Sequence, residues 1–442
     1  MATEKNLFYW GTMSDPVSST PNRKVLIVGE FGILNGGEKS FLAIASSLIK
    51  LGWELTAAVP YDLKPADPML TANLIDTNPE RARVSYDPEI TEFAQALESK
   101  GIRVFDWNVR ENGKRKELSV IREELSSLIS RVKPAIVHFN SLSTSRIGGP
   151  VVEELGIPSL GYLRDIMGLS KAAIRDINRV DRIIAVSKAT KDWHVGNGLL
   201  PDKTFVVYNG VDSNEFSPSK KSDSSTLGGD EISKPGIREE LSIADDDQIL
   251  LFVGQIGIRK GVDTLVEAFL ELAKTNHKIQ LLIVGQRHAQ KQEAIEYETR
   301  IIQSVAASPH SNRVHLLGRR DDVSNIMRET DILVHPARQE PLGRVLLEAS
   351  SSGIVIVTTD VGGSAEIICK DPDSNYLSGL LLPPDDATAL MIRLNELLSD
   401  TEQMQKIGAE LRARATSKFS VKNCVMQIHQ HYRLLLGSLA GN

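Results

Sequence analysis

His335-Pro-Ala-Arg-Gln-Glu-Pro-Leu-Gly-Arg-Val-Leu-Leu-Glu-Ala-Ser350 is the stretch on which the reading of this chain turns. Asp331 to Val334 before it is a short apolar strand run that Pro336 ends, and Gly343 permits a tight bend. From Val345 the apolar residues continue to a glycine stop at Ser351-Ser-Gly353, the pattern of a buried helix. Glu340 therefore falls in the loop at a strand's carboxyl end, and Glu348 about two turns into the helix at roughly 3.6 residues per turn. In an open α/β sheet ligands bind at that edge, and a helix start offers free N–H groups to an anion. Two carboxylates bracketing an anion site suit a ligand that carries both hydroxyls and phosphate, which is the chemistry of a sugar nucleotide.

Working outward, short β-branched runs alternate with helical patterns almost throughout, the signature of parallel sheets covered by helices. A first series runs from Val25–Val28 to Phe205–Tyr208, and a second from Ile249–Val253 to Gly379–Leu382. Between them Ser213 to Pro235 is rich in Ser, Lys, Asp and Gly and has no apolar period, so it reads as a linker. The expected organisation is a disordered tail over 1–21, a Rossmann-like half over 22–212, a linker or surface excursion over 213–245, a second Rossmann-like half over 246–417, and a terminal helical segment over 418–442. At 442 residues the chain is too long for one ordinary core, which agrees with that division.

Composition narrows the function classes. A net charge of −6 argues against general nucleic-acid affinity. Two cysteines, Cys369 and Cys424, are too few for a disulfide scaffold and fit a reducing, cytoplasmic setting. No apolar run approaches the roughly 18 residues of a membrane span. Peripheral membrane contact stays open through the basic run Arg110 to Lys116 or the aromatic knot Phe8 to Trp10, although a basic run usually serves only solvation and the knot reads better as part of a disordered tail. Oligomeric state is open as well.

Three further loops carry candidate site residues. After the first strand, Asn35-Gly-Gly-Glu38 lets backbone N–H groups approach a phosphate, while the G-x-G-x-x-G fingerprint is absent and nicotinamide binding is not favoured. After the first strand of the second half come Gln255, Arg259 and Lys260; an Arg fork and a Lys point charge suit a diphosphate. Thr358-Thr-Asp-Val-Gly-Gly-Ser-Ala-Glu366 follows another strand, where Gly362 and Gly363 precede a short helix with room for a further anion contact and Glu366 favours that helix's start. His288, His310, His315 and His335 lack metal-ligand spacing, and neither H-E-x-x-H nor C-x-x-C occurs, so no metal is expected. Asp371-Pro-Asp373 reads as a turn.

Taken together, Glu340-Pro-Leu-Gly-Arg-Val-Leu-Leu-Glu348, Thr359-Asp-Val-Gly-Gly363, Asn209-Gly-Val-Asp212, Ser187-Lys188 and the Gly36-Gly37 loop resemble, in order and spacing, the retaining family 4 glycosyltransferases of the GT-B fold. The resemblance implies two Rossmann-like domains facing across a cleft, with a final helix near Val421 to Leu436 crossing back to the first. It implies a hexose transferred from a nucleotide-diphosphate sugar to a hydroxyl acceptor, without metal or cofactor. By the same resemblance Glu348 holds the ribose hydroxyls and Glu340 the hydroxyls of the transferred sugar. Lys260 neutralises the diphosphate, helped by the N–H groups of Leu342, Gly343 and Arg344, and Gly36 and Gly37 close on the phosphate from the other domain. Two departures stand out. Gln255 occupies the place of the family's usual Arg, with Arg259 as the candidate replacement. Arg164-Asp165 stand where a His is common, leaving His138 or Asp165 as candidates for the reacting centre. A sugar-nucleotide epimerase and a non-catalytic sugar-nucleotide-binding protein are the rival readings.

Overall fold

The computed structural model describes residues 22–61, 90–111, 114–218, 235–287, 289, 291–368 and 380–437. Two parallel sheets organise them. In the first half β1 (Lys24–Val28), β2 (Glu54–Val59), β3 (Arg103–Asp106), β6 (Ile136–Phe139), β7 (Ser159–Leu163), β8 (Arg182–Ala185) and β9 (Thr204–Val206) lie in the order β3-β2-β1-β6-β7-β8-β9. A small antiparallel hairpin, β4 (Arg110–Glu111) and β5 (Lys114–Arg115), stands apart. In the second half β10 (Gln248–Val253), β11 (Ile279–Val284), β12 (Val314–Gly318), β13 (Ile332–His335), β14 (Val355–Thr359) and β15 (Leu381–Leu382) lie in the order β12-β11-β10-β13-β14-β15.

The alternation of β1 explains why these strands read as unbroken apolar runs. Val25 and Ile27 join the core under the helix Gly36–Lys50, with Phe41, Ile44 and Leu48. Leu26 and Val28 join the opposite layer with Leu125 and Ile129 of the helix Leu118–Val132. All four are fully buried, each contributing about 1.5–3 kcal/mol of transfer energy as an upper bound.

Each sheet reverses its winding once. β1 lies between β2 and β6, and β10 between β11 and β13. The loops leaving the carboxyl ends of such neighbours splay apart and open a crevice, so topology alone selects the loops after β1, β6, β10 and β13 as the ligand edge.

Two chain crossings join the halves, and they are bonded to each other. Val211 donates to Phe419 O at 2.8 Å, and Val421 donates back to Val211 O at 3.3 Å. Beyond this bridge the helix Val421–Gly437 crosses back to the first half. There Trp53 Nε1 donates to His429 Nδ1 at 2.9 Å, Arg182 Nε donates to His431 Nδ1 at 2.9 Å, and Tyr432 is fully buried beside β6.

Part of the expected linker is ordered structure. Residues Ile237–Leu241 form a helix whose first N–H groups, from Ile237 and Arg238, are taken by the Glu329 carboxylate. Glu240 pairs with Arg320. Ile237 and Ile243 reach the core and ions hold the rest, but five residues are too short a run for apolar periodicity to register. The tail 1–21, Asp371–Asp373, Cys369 and His288 lie outside the described residues.

Candidate active site

At the switch point of the second sheet, the turn after β10 and the loop after β13 meet through one charged triad. Lys260 Nζ and His335 Nε2 both reach Glu340 Oε2, at 2.5 and 2.7 Å. His335 ends β13 and is buried against Phe252, so its ring position is fixed by the strand. Burial and the nearby Lys260 push the His335 pKa down, leaving a neutral ring that donates Nε2–H to the carboxylate. Burial works against charge on Glu340, but Lys260 and the His335 N–H more than offset it and hold the carboxyl well below the usual carboxylate range. The backbone locks the same meeting point: Arg338 N donates to Arg259 O at 2.8 Å, and the Arg338 guanidinium pairs with Asp263 and Asp385.

The peptide after Glu340 is gripped from two directions. Gly363 N donates to Glu340 O at 2.9 Å from the loop after β14. Ser187 Oγ and Thr190 Oγ1, both from the first half, donate to Pro341 O at 2.5 and 3.2 Å. Gly362 makes this approach possible: it sits at φ +53°, and a Cβ there would stand 1.9 Å from Glu340 O. The paired glycines thus seat the Glu340 loop. Glu366, four residues on, caps the helix Lys188–Gly196 of the other half, accepting from Lys188 N and Ala189 N at 2.8 Å each and from Tyr208 Oη at 2.7 Å. A carboxylate on a helix N-terminus is a favourable pairing, here made between the halves.

The helix Arg344–Ser352 begins at Gly343, whose φ of +90° turns the chain into it. Among the described residues the N–H groups of Leu342, Gly343 and Arg344 meet no protein acceptor, as the first turn of a helix leaves them. Arg344 pairs with Glu348 at 2.9 Å and reaches across to Gly36 O at 3.1 Å. Glu340, Lys260, Glu348, Arg344 and Gly36 are therefore brought to one face between the halves, with Gly37 next in the chain. Gln255 and Arg259 are exposed beside it, and the Arg259 guanidinium has no bonded partner among the described residues. Asp165 is exposed at the end of β7, with its backbone oxygen bound by His194 Nε2. His138 lies elsewhere. Its ring is fully buried among Phe41, Tyr162 and Tyr432, with Nδ1 2.6 Å from Tyr432 Oη. Burial foremost pushes its pKa down to about 3, so it is a neutral core histidine.

Sequence reasoning missed His335, Ser187 with Thr190, and Glu366 as parts of this arrangement. His335 carried a signal, since it is the last residue of the strand that delivers Glu340. Glu366 carried none, because its partners lie in the other half.

Two family profiles cover the chain in succession: "Glycosyltransferase Family 4" over residues 34–215 and "Glycosyl transferases group 1" over residues 233–414. The chain belongs to the family 4, group 1 glycosyltransferases. Among relatives, an uncharacterized glycosyltransferase of Methanocaldococcus jannaschii is 26% identical over 58% of this chain and 60% of its own length. The alpha-maltose-1-phosphate synthase of Mycolicibacterium smegmatis is 29% identical over 58% of this chain and 64% of its own length. The matched part thus spans under two thirds of those curated relatives. Among solved structures, Anabaena HepE in complex with UDP and glucose superposes with a TM-score of 0.72 at 22% identity, over 92% of this chain and 98% of that one, which establishes the GT-B architecture. Among the described residues no helix is long and apolar enough to cross a membrane.

Proposed function

We propose that the protein is a retaining glycosyltransferase that moves a hexose from a nucleotide-diphosphate sugar to a hydroxyl acceptor without a metal. The observation that carries this reading is the meeting of Lys260 with Glu340 at a sheet switch point, directly before a helix start with free N–H groups and one helix face away from Glu348. Family membership and the GT-B neighbour bound to UDP and glucose support it.

In this reading Glu348 takes the ribose hydroxyls, and Glu340 orients the transferred sugar as a carboxylate that cannot itself donate. Lys260, Arg259 and the N–H groups of Leu342, Gly343 and Arg344 oppose the charge that grows on the departing diphosphate, an electrostatic preorganisation that needs no protein base. The departing phosphate takes the acceptor's proton, and the acceptor oxygen bonds to the anomeric carbon on the face the phosphate leaves. This division of labour differs from glycosidases, where two carboxylates flank the bond as acid and nucleophile.

Screening UDP-, GDP- and ADP-sugars for thermal stabilisation identifies the donor, since a ligand bound only by the folded form raises its melting temperature. Nuclear magnetic resonance of the product then reads the anomer. Retention with Glu340→Gln slowed at least about a hundredfold is expected. An inverted product removes the retaining step, conversion of the sugar nucleotide without any acceptor favours an epimerase, and absence of donor binding removes the whole reading.

A further inference from the structure

Across the cleft from Lys260, three adjacent strands of the first sheet deliver a cluster rich in hydrogen-bond donors, with the carboxylates of Glu38 and Asp165 beside it. Arg164 follows β7, Asn140 follows β6, and Gly37 starts the helix after β1; β1, β6 and β7 are neighbours, so all three stand at one carboxyl edge. Arg164 is held rigidly. Nε donates to Asn140 O at 3.0 Å, one terminal nitrogen to Asn140 Oδ1 at 2.8 Å, the other to Asn209 Oδ1 at 3.2 Å, and the guanidinium stacks over Tyr162 at 3.7 Å. Its Cδ lies 3.2 Å from where a Gly37 Cβ would stand, so the side chain runs along the start of that helix.

Every one of these acceptors is neutral. Among the described residues Arg164 has no ion pair; the Glu38 carboxylate attracts it only from a distance, while Arg344 from the other half repels it. A guanidinium carries five N–H donors, and three are used. Beside it Asn140 is 1% exposed, and among the described residues its Nδ2 meets no acceptor. A rigid, largely buried cation next to an orphaned buried donor is costly to maintain unless an acceptor of opposite charge completes it. A structural arginine would ordinarily have a carboxylate here. Asn140 and Asn209 orient the guanidinium, and no carboxylate bonds to it among the described residues; Glu38 offsets its charge only from a distance.

We infer that Arg164 and Asn140 form an anion seat in the first-half wall of the cleft, taking a phosphoryl or carboxylate group of a substrate. The inference deepens the transferase reading and rests on it for the word substrate. Two sources share this chemistry: the terminal phosphate of the donor's diphosphate, supplying from the first half the charge that Gln255 does not provide, or an acidic group on the acceptor.

Inorganic phosphate is the probe, titrated calorimetrically into wild type, Arg164→Gln and Asn140→Asp, with and without a saturating nucleoside diphosphate. Arg164→Gln is expected to weaken phosphate at least tenfold. Asn140→Asp sets a carboxylate in the seat and should do the same while retaining the fold. If phosphate still binds the nucleotide-loaded wild type through Arg164, the anion belongs to the acceptor. If the nucleotide displaces it, and Arg164→Gln weakens the diphosphate but not the monophosphate, the anion belongs to the donor. Phosphate and diphosphate affinities within twofold of wild type in either folded variant overturn the inference. A wild type that binds phosphate through Arg164 but no nucleotide would instead sink the transferase reading alone.

Discussion

Replacing Lys260 by Met tests the charged triad without any assumption about the ligand. Lys260 and Glu340 are 16% and 8% exposed at the side chain and 2.5 Å apart, so the substitution leaves a carboxylate behind in a nearly dry site. Breaking a buried pair in this way costs about 3–5 kcal/mol, and the surviving His335 N–H argues for the lower end, about 3 kcal/mol. The pH dependence carries the sharper signature. In the wild type Glu340 has a folded pKa below its unfolded value, so its stabilising contribution is complete above about pH 4.5 and fades only as pH falls toward the depressed folded value. Without Lys260, burial dominates and the folded pKa rises above the unfolded one. The variant then loses stability as pH climbs from about 4.5 through the new value. The gap between the two proteins should therefore widen as pH climbs from about 4.5 through the variant's new value, reaching about 3 kcal/mol at about pH 8, and shrink as pH falls below about 4.5 toward the depressed wild-type value. Urea unfolding followed by far-ultraviolet circular dichroism at several pH values measures it. A gap that is absent, or equally large at both ends of the range, would refute the reasoning.

Three other outcomes are expected. Gly362→Ala forces a methyl group against Glu340 O and should cost at least about 2 kcal/mol, lowering the melting temperature and donor affinity together; a variant that melts like wild type contradicts the seating role. Glu366→Gln weakens three charge-assisted bonds between the halves, about 1–2 kcal/mol in all, and small-angle scattering should show a larger radius of gyration. His138 has a folded pKa of about 3, below its unfolded value, so its contribution is complete above about pH 6.5 and drains away as pH falls. His138→Gln should flatten that acid limb of the stability curve while leaving the pH profile of turnover in place.

The fold was legible because parallel strands buried on both faces are apolar almost throughout, as at Val25–Val28 and Leu250–Val253. The Glu340 and Glu348 placement followed from a proline stop, a glycine turn and a helical run, all local signals. What escaped was whatever depends on distant segments meeting. Ser187 caps the helix Lys188–Gly196, and the same hydroxyl also reaches Pro341 O across 154 positions of sequence, which no local pattern reveals. Gly362 and Gly363 suggested a phosphate loop, because paired glycines look alike whether the close neighbour is a ligand or another stretch of backbone. Two of the expected site residues, Arg259 and Gln255, stand exposed, and the sequence carries no term for how far a turn projects from its sheet.

The returning helix has a consequence for biosynthesis. Tyr432, Ile428 and Leu435 complete the hydrophobic interior around β1 and β6, yet they are made only after the whole of the second half. The first half must therefore wait, with Trp53 and the His138 face uncovered, until the second half has been made. Its folding is thus tied to synthesis of this helix, and removing the helix from Val421 onward should damage the segment synthesised first.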